Sequence, residues 1–513
     1  MGLSAFTLFA VIAVLPMGLM MTKAFGSDGA FSWVNVAALF SDPRQALLFA
    51  RSFALAAGAT LGALALGVPM AVFIHRGRTG GYRIINALYL LPLTIPPQVF
   101  VTTWLGLAGQ TASPLAKAAT GISVAMVLLA LAYYPLVVLT TLTGLGALDR
   151  RLEEAAALIH RPAAVWRRIT LPLLAPYIAT GAVFVFLFAL FDYGVPALLG
   201  IQTYPVEIFA QFSAYYDEGR AAALSFPLLL TAIGLLWLVH KMLGPRAFFT
   251  IGGGSVAAPS ALSTPSRTLL ALGSWAAILL SVFVPLGVLL IQAAAPQVIL
   301  AVLRTSAGEM TATLLMSATA ASLMVLIAYP LAQRISKSGK TLSKILDFFS
   351  LLPFTVPATV LGIGLIYVWN RPIIDKLYGS AAILVIAFTA RFVPFAVRAI
   401  AAGFGQVAPS VWDAALLCAT SGYRRWRYIE WPLLRRSVAV GWLIGFILCN
   451  NELAATLLVI PPGQGTLSLK IYNLMHYGAN QMVAGMALLL VGINLAAAGI
   501  AAKLFIAGKA YIK

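Results

Sequence analysis

Apolar runs about twenty residues long, the length a helix needs to cross a bilayer, follow one another along most of the chain. They cover roughly residues 4–22, 45–74, 84–107, 121–147, 174–199, 221–243, 268–292, 311–333, 346–369, 379–402, 436–460 and 481–505. Such runs predict helices, because only a helix satisfies its own backbone hydrogen bonds in lipid. The expected fold class is an all-α polytopic membrane protein with about twelve transmembrane helices. Two long polar islands interrupt the pattern. They are "EEAAALIHRPAAVWRRITLPLL" (Glu153 to Leu174) and "WDAALLCATSGYRRWRYIEWPLL" (Trp412 to Leu434).

Composition agrees with the pattern. With 61% hydrophobic and only 10% charged residues, the chain has too few charges to cover a soluble domain. The net charge of +19 would direct a soluble protein toward nucleic acid. Here the basic residues sit in short loops between apolar runs, so we expect lipid on all sides and no nucleic-acid partner. Alternate loops hold 24 and nine Lys or Arg, with Arg391 alone inside a span. The richer side is expected to be cytoplasmic, with both termini there. Lys23 after the first span signals the other way and is outvoted by the remaining spans. The N-terminal run lacks a basic n-region and an Ala-x-Ala site, so it reads as a retained span. Cys418 and Cys449 imply no disulfide framework.

The chain repeats itself. "LPLTIPP" from Leu91 matches "LPFTVPA" from Leu352, and Pro69 meets Pro330, both at an offset of 261. Trp166, Arg167, Ile169 and Pro172 meet Trp426, Arg427, Ile429 and Pro432 at 260, as do Gly181 and Gly441, and Asp192 and Glu452. The expected organisation is a first six-span half (1–250), a Gly/Ser/Pro-rich cytoplasmic linker (251–267) and a second half (268–513). Even span numbers make these parallel repeats, not inverted ones.

Each island follows the fourth span of its half. Each opens on carboxylate and alanine: Glu153, Glu154, Ala155 and Ala156 in one, Asp413, Ala414 and Ala415 in the other. A breaker follows (Pro162, or Ser421 and Gly422), then a Trp-Arg pair, Trp166-Arg167 or Trp426-Arg427, and then Pro172 or Pro432. The pattern predicts a short amphipathic helix, a turn and a re-entry segment ended by proline. Orientation alone needs only a few basic residues, and the loop at 76–83 manages with three. Some twenty residues with a repeated carboxylate and Trp fit a helix that docks in a partner's groove, and two islands imply two partner copies.

This pattern resembles the EAA loop of permeases from binding-protein-dependent ABC importers, in the fused form found among ferric-ion and thiamine importers. "ITLP" (Ile169 to Pro172) and "IEWP" (Ile429 to Pro432) match the loop's end. "FDYGVPALLG" (Phe191 to Gly200) and "ELAATLLVIPPGQGTLSLKIYNL" (Glu452 to Leu474) resemble the ferric-ion branch. Asp413 and Ala419 depart from the family's Glu and Gly, Ile159-His160 stands near the first expected Gly, and either Glu153 or Glu154 can be the first acid. The resemblance implies a type I importer permease of the bacterial inner membrane. Its expected partners are two copies of a cytoplasmic ABC ATPase, which carry the ATP and Mg, and a periplasmic solute-binding protein. Glu153, Glu154, Ala155, Ala156, His160, Trp166, Arg167, Asp413, Ala414, Ala415, Gly422, Trp426 and Arg427 become candidate coupling residues.

No catalytic residue, bound cofactor or metal site is expected in the chain itself. "SKSGKT" (Ser336 to Thr341) has Arg334 where a phosphate loop needs its first Gly, and it follows a span instead of a strand. His75, His160, His240 and His476 lack ligand spacing. Three ionisable residues lie well inside spans: Asp192, Arg391 and Glu452. Such groups are costly in lipid and face a cavity or a partner. Two readings stand: a structural pair of Arg391 with Glu452, or a lining of the translocation path. Pro96 and Pro357, with Pro92, Pro97 and Pro353, should kink the third and ninth spans, either for packing or to line that path. The polar-aromatic stretches after the fifth and eleventh spans are candidate re-entrant segments or binding-protein contacts.

The resulting expectation is an importer permease for a small polar solute. Ferric iron leads on the fifth-span resemblance, with thiamine, phosphonate and polyamine as alternatives. The rival is an ion-coupled secondary transporter that uses Asp192 and Glu452 as proton or sodium sites; a membrane enzyme would need a reactive constellation.

Overall fold

The computed structural model describes residues 2–27, 30–76, 81–110, 121–243, 264–418, 421–475, 477 and 480–509. Most of the expected linker, with Ala419 and His476, lies outside them. Ten helices are long and apolar enough to cross a membrane, and two bent pairs raise the count to as many as twelve. The only strands among the described residues are the two-residue pair Gly26–Ser27 and Ala30–Phe31.

The expected third and ninth spans are each broken. Tyr82–Thr94 turns by 94° into Pro97–Leu107, and Thr341–Thr355 by 97° into Ala358–Trp369. At each corner a residue before proline, Ile95 or Val356, is extended (ψ 118° and 137°), as steric clash with the proline ring demands. Pro96 and Pro357 are buried at these corners.

Four prolines are accommodated differently. Pro16, Pro172, Pro285 and Pro432 each lie just beyond a five-residue π-helical turn: Ala10–Val14, Trp166–Thr170, Leu279–Phe283 and Trp426–Glu430. The residue before proline bonds five residues back, as in Leu171 N–H to the Trp166 carbonyl and Trp431 N–H to the Trp426 carbonyl. A wider turn relieves the clash between the ring and the carbonyl one turn earlier. Proline does not dictate this alone, since Pro69, Pro135 and Pro330 sit inside regular helices. The expectation that Pro172 and Pro432 end a re-entry segment is therefore corrected. The helix runs through them, over Pro162–Leu190 and Gly422–Asn450.

The chain forms two compact units. One contains residues 42–206 and 230–296. In it Pro43–Arg76 packs against Ile122–Ala147 and Leu171–Leu190, and Thr264–Ile278 joins them. Small residues make the close approach possible: Ala56, Ala59, Ala63 and Gly67 recur on the buried face of Pro43–Arg76. A Cβ at Gly181 would run into Thr140 and Val137. The other unit contains residues 1–41, 207–229 and 297–513. There Ala307–Lys337 packs against Ala382–Gln406 and Trp431–Asn450, and the N-terminal helix joins them. Each unit thus includes the first span of the opposite sequence half.

Candidate functional site

The first island begins at helix Arg150–Ala157, whose N-terminus is capped by Asp149 accepting from the Arg151 N–H at 3.0 Å. The helix ends in an outward turn where Leu158 and Ile159 are 88% and 82% exposed. Pro162, at the first position of the next helix, starts the second limb, which continues into the span. Glu153 sits between the limbs. One of its oxygens accepts from Arg76 Nη2 and from Thr170 Oγ1, both at 2.5 Å. The Arg76 guanidinium also lies 5.3 Å from the Trp166 ring centroid. The Arg76 bond ties the island to the end of Pro43–Arg76, and the Thr170 bond joins the two limbs.

The second island repeats this shape, with helix Pro409–Cys418 and a second limb from Gly422, where Ser421 caps the Arg424 N–H at 3.2 Å. Leu416 and Leu417 are exposed at its tip, the latter by 89%. The tie is made by a different carboxylate. Glu430, 1% exposed, accepts from Lys337 Nζ and Gln333 Nε2 at 2.8 Å, from Tyr329 Oη at 3.1 Å and from Arg425 Nε at 3.2 Å. Lys337 lies 4.9 Å from the Trp412 ring centroid and 5.6 Å from that of Phe404.

The other expected coupling residues fall as follows. Glu154, Ala155, His160, Arg167, Asp413, Ala414, Gly422, Trp426 and Arg427 are exposed, Ala156 and Trp166 are half-buried, and Ala415 is buried. Glu430, Lys337, Gln333, Tyr329, Arg76 and Thr170 were not singled out in the sequence. A signal for them exists: Lys337 stands 261 residues after Arg76, and Glu430 stands 260 after Thr170.

The intramembrane acids have a backbone role. Asp192 Oδ1 accepts from the Val195 N–H at 2.8 Å, and Glu452 Oε1 from the Ala455 N–H at 2.8 Å. Each caps a short helix, Gly194–Leu198 or Ala454–Val459, after a break at the end of the fifth or eleventh span. With its second oxygen Glu452 reaches Arg391, whose Nε lies 3.0 Å from Oε2. The stretches beyond carry helices Tyr204–Ser213 and Leu467–Met475. Their starts are capped from the second helix of each half, Ser52 Oγ accepting from the Tyr204 N–H and Thr313 Oγ1 from the Leu467 N–H, both at 2.8 Å.

Comparison with known proteins places two copies of one family model on the chain, over residues 63–248 and 324–505. The model describes a binding-protein-dependent transport system inner membrane component. A Fe(3+)-transport system permease protein of Haemophilus influenzae is 26% identical over 84% of each chain. A probable molybdenum ABC transporter permease protein of Haloferax volcanii is 34% identical over 36% of this chain and 70% of its own. A thiamine transport system permease protein of Brucella abortus is 30% identical over 31% of this chain and 32% of its own.

Proposed function

The chain belongs to the binding-protein-dependent transport system inner membrane component family; from that premise we propose that it imports ferric iron. In this reading a solute-binding protein delivers the metal on the outer side, and two ATPase subunits grip the islands at 149–172 and 409–432 on the cytoplasmic side, with both termini there. Closure of the ATPases around ATP switches the permease between outward- and inward-facing states. The two states must differ in affinity for the closed ATPases, since equal affinity shifts nothing.

The observation that carries the reading is the pair of islands. Each is tied back to its own helices by a bonded carboxylate, and each holds apolar side chains (Leu158 and Ile159, Leu416 and Leu417) out into solvent. An apolar tip on a fixed stalk suits insertion into a partner's groove. Iron is preferred over molybdenum or thiamine because the iron relative matches across both halves. The rival carrier mechanism needs Asp192 and Glu452 to take up a proton or sodium. Against it, both acids are engaged as helix caps, and Glu452 is also ion-paired.

The test is co-purification and uptake. With its ATPase and binding protein co-expressed, the chain should retain the ATPase, and deletion of 153–172 should lower that retention. Vesicles should take up ferric iron in preference to molybdate and thiamine when ATP is supplied on the island side. Equal retention without the island, or uptake that needs no ATPase, overturns the reading.

A further inference from the structure

The two sequence halves, equivalent at their near-constant offset, carry the tying carboxylate at different positions. Arg76 corresponds to Lys337, so the cation at the end of the second helix is kept. The carboxylate that meets it is not. In the first half it comes from Glu153 on the island's first limb, opposite Thr170. In the second half it comes from Glu430, the counterpart of Thr170, on the second limb. The surroundings change in step. Tyr329, Gln333 and Arg425 donate to Glu430, and their counterparts in the first half are Val68, Val72 and Val165. A carboxylate at position 170 would find three valines there; at 430 it finds three donors. Asp413, the counterpart of Glu153, is one methylene shorter and exposed.

We propose that each island is latched to the second helix of its own half by one carboxylate, Glu153 in the first half and Glu430 in the second. In that role Glu153 is a positioning residue, acting through Arg76 and Thr170. The latch makes island and helix move as one body, so a pull on the island's tip is transmitted to Pro43–Arg76 or Ala307–Lys337. Charge-assisted bonds between groups 77 and 93 residues apart in sequence are strong enough and directional enough for that task. The two grips are consequently not equivalent: Asp413 alone of the two repeated acids is left facing outward.

This inference rests on the islands being the ATPase grips, and its test separates the two claims. In the reconstituted complex of the full chain, ATPase and binding protein, two readouts are taken: ATPase retained per permease, and solute moved per ATP hydrolysed. Glu153→Gln and Glu430→Thr should each lower transport per ATP by at least about fivefold with retention unchanged. Adding Asp413→Glu to Glu430→Thr moves the second half's carboxylate to the first half's position, within reach of Lys337, and should recover most of the loss. If Glu430→Thr does not accumulate, recovery of the protein itself by Asp413→Glu serves as the readout. The latch is overturned if Glu153→Gln releases the ATPase, if it leaves transport per ATP at the wild-type ratio, or if Asp413→Glu rescues nothing. Failure of the underlying reading looks different: deletion of 153–172 would then leave the ATPase bound.

Discussion

Asp192 and Glu452 each accept a hydrogen bond from a backbone N–H three residues on, and Glu452 is also paired with Arg391. The pair's side chains are 12% and 6% exposed, so removing one partner strands a buried charge. Glu452→Gln should therefore destabilise the protein by about 3–5 kcal/mol. Asp192→Asn, which keeps a capping oxygen, should lose less than about 1 kcal/mol. Thermal unfolding in detergent measures both, and replacing Arg391 by Met alongside Glu452→Gln should restore part of the larger loss. Sequence marked all three residues as unusual, because a charge within an apolar run is visible. Their partners were legible only in part. The pattern admits Arg391 with Glu452 as one of two readings, whereas the capping of Val195 and Ala455 depends on a helix break that uniform hydrophobicity hides. Glu430 is hidden for a different reason: its string, "IEWP", matches the family ending as a whole, and its partners Tyr329, Gln333 and Lys337 stand about a hundred residues earlier in the chain.

At the scale of elements, proline was visible and its consequence was not. Pro96 and Pro357 bend the chain by 94° and 97°, Pro172 and Pro432 follow a π turn, and Pro69 and Pro330 lie in regular helices. The presence of proline alone does not separate these cases. The two helix starts at Tyr204 and Leu467 offer a cleaner prediction. Ser52→Ala and Thr313→Ala each remove a buried side-chain acceptor from a helix N-terminus and should cost about 1 kcal/mol apiece, read as a lower unfolding temperature. The islands give another. Leu158→Asp and Leu417→Asp place a charge on an exposed tip, so the isolated permease should unfold at the wild-type temperature. Each should nonetheless lower ATPase retention by roughly tenfold or more, about 1.4 kcal/mol of binding.

The whole molecule shows what a constant offset can and cannot convey. Matches at 260 and 261 identify two halves, and the family model matches both. The compact units divide the chain elsewhere, since residues 1–41 belong with 297–513 and residues 230–296 with 42–206. An apolar helix such as Ser4–Lys23 carries no polar tag to say which half it packs on, so sequence alone left it with its neighbours. Gly364 allows a test of that exchange: a Cβ there would meet the Pro16 carbonyl. Gly364→Leu should separate the first helix from Ala358–Trp369 and cost about 1–3 kcal/mol, whereas Gly273→Leu, with open space around it, should cost little. The central claim concerns force from outside the chain entering through two grips. Its most direct measurement is ferric-iron uptake by proteoliposomes that hold this chain and are supplied with the solute-binding protein, with and without the ATPase, and with residues 153–172 and 413–432 both replaced by flexible linkers. Uptake should require the ATPase and its nucleotide, survive a protonophore and vanish with the double replacement. Iron accumulation by the chain alone, collapsing when the proton gradient is discharged, would contradict it.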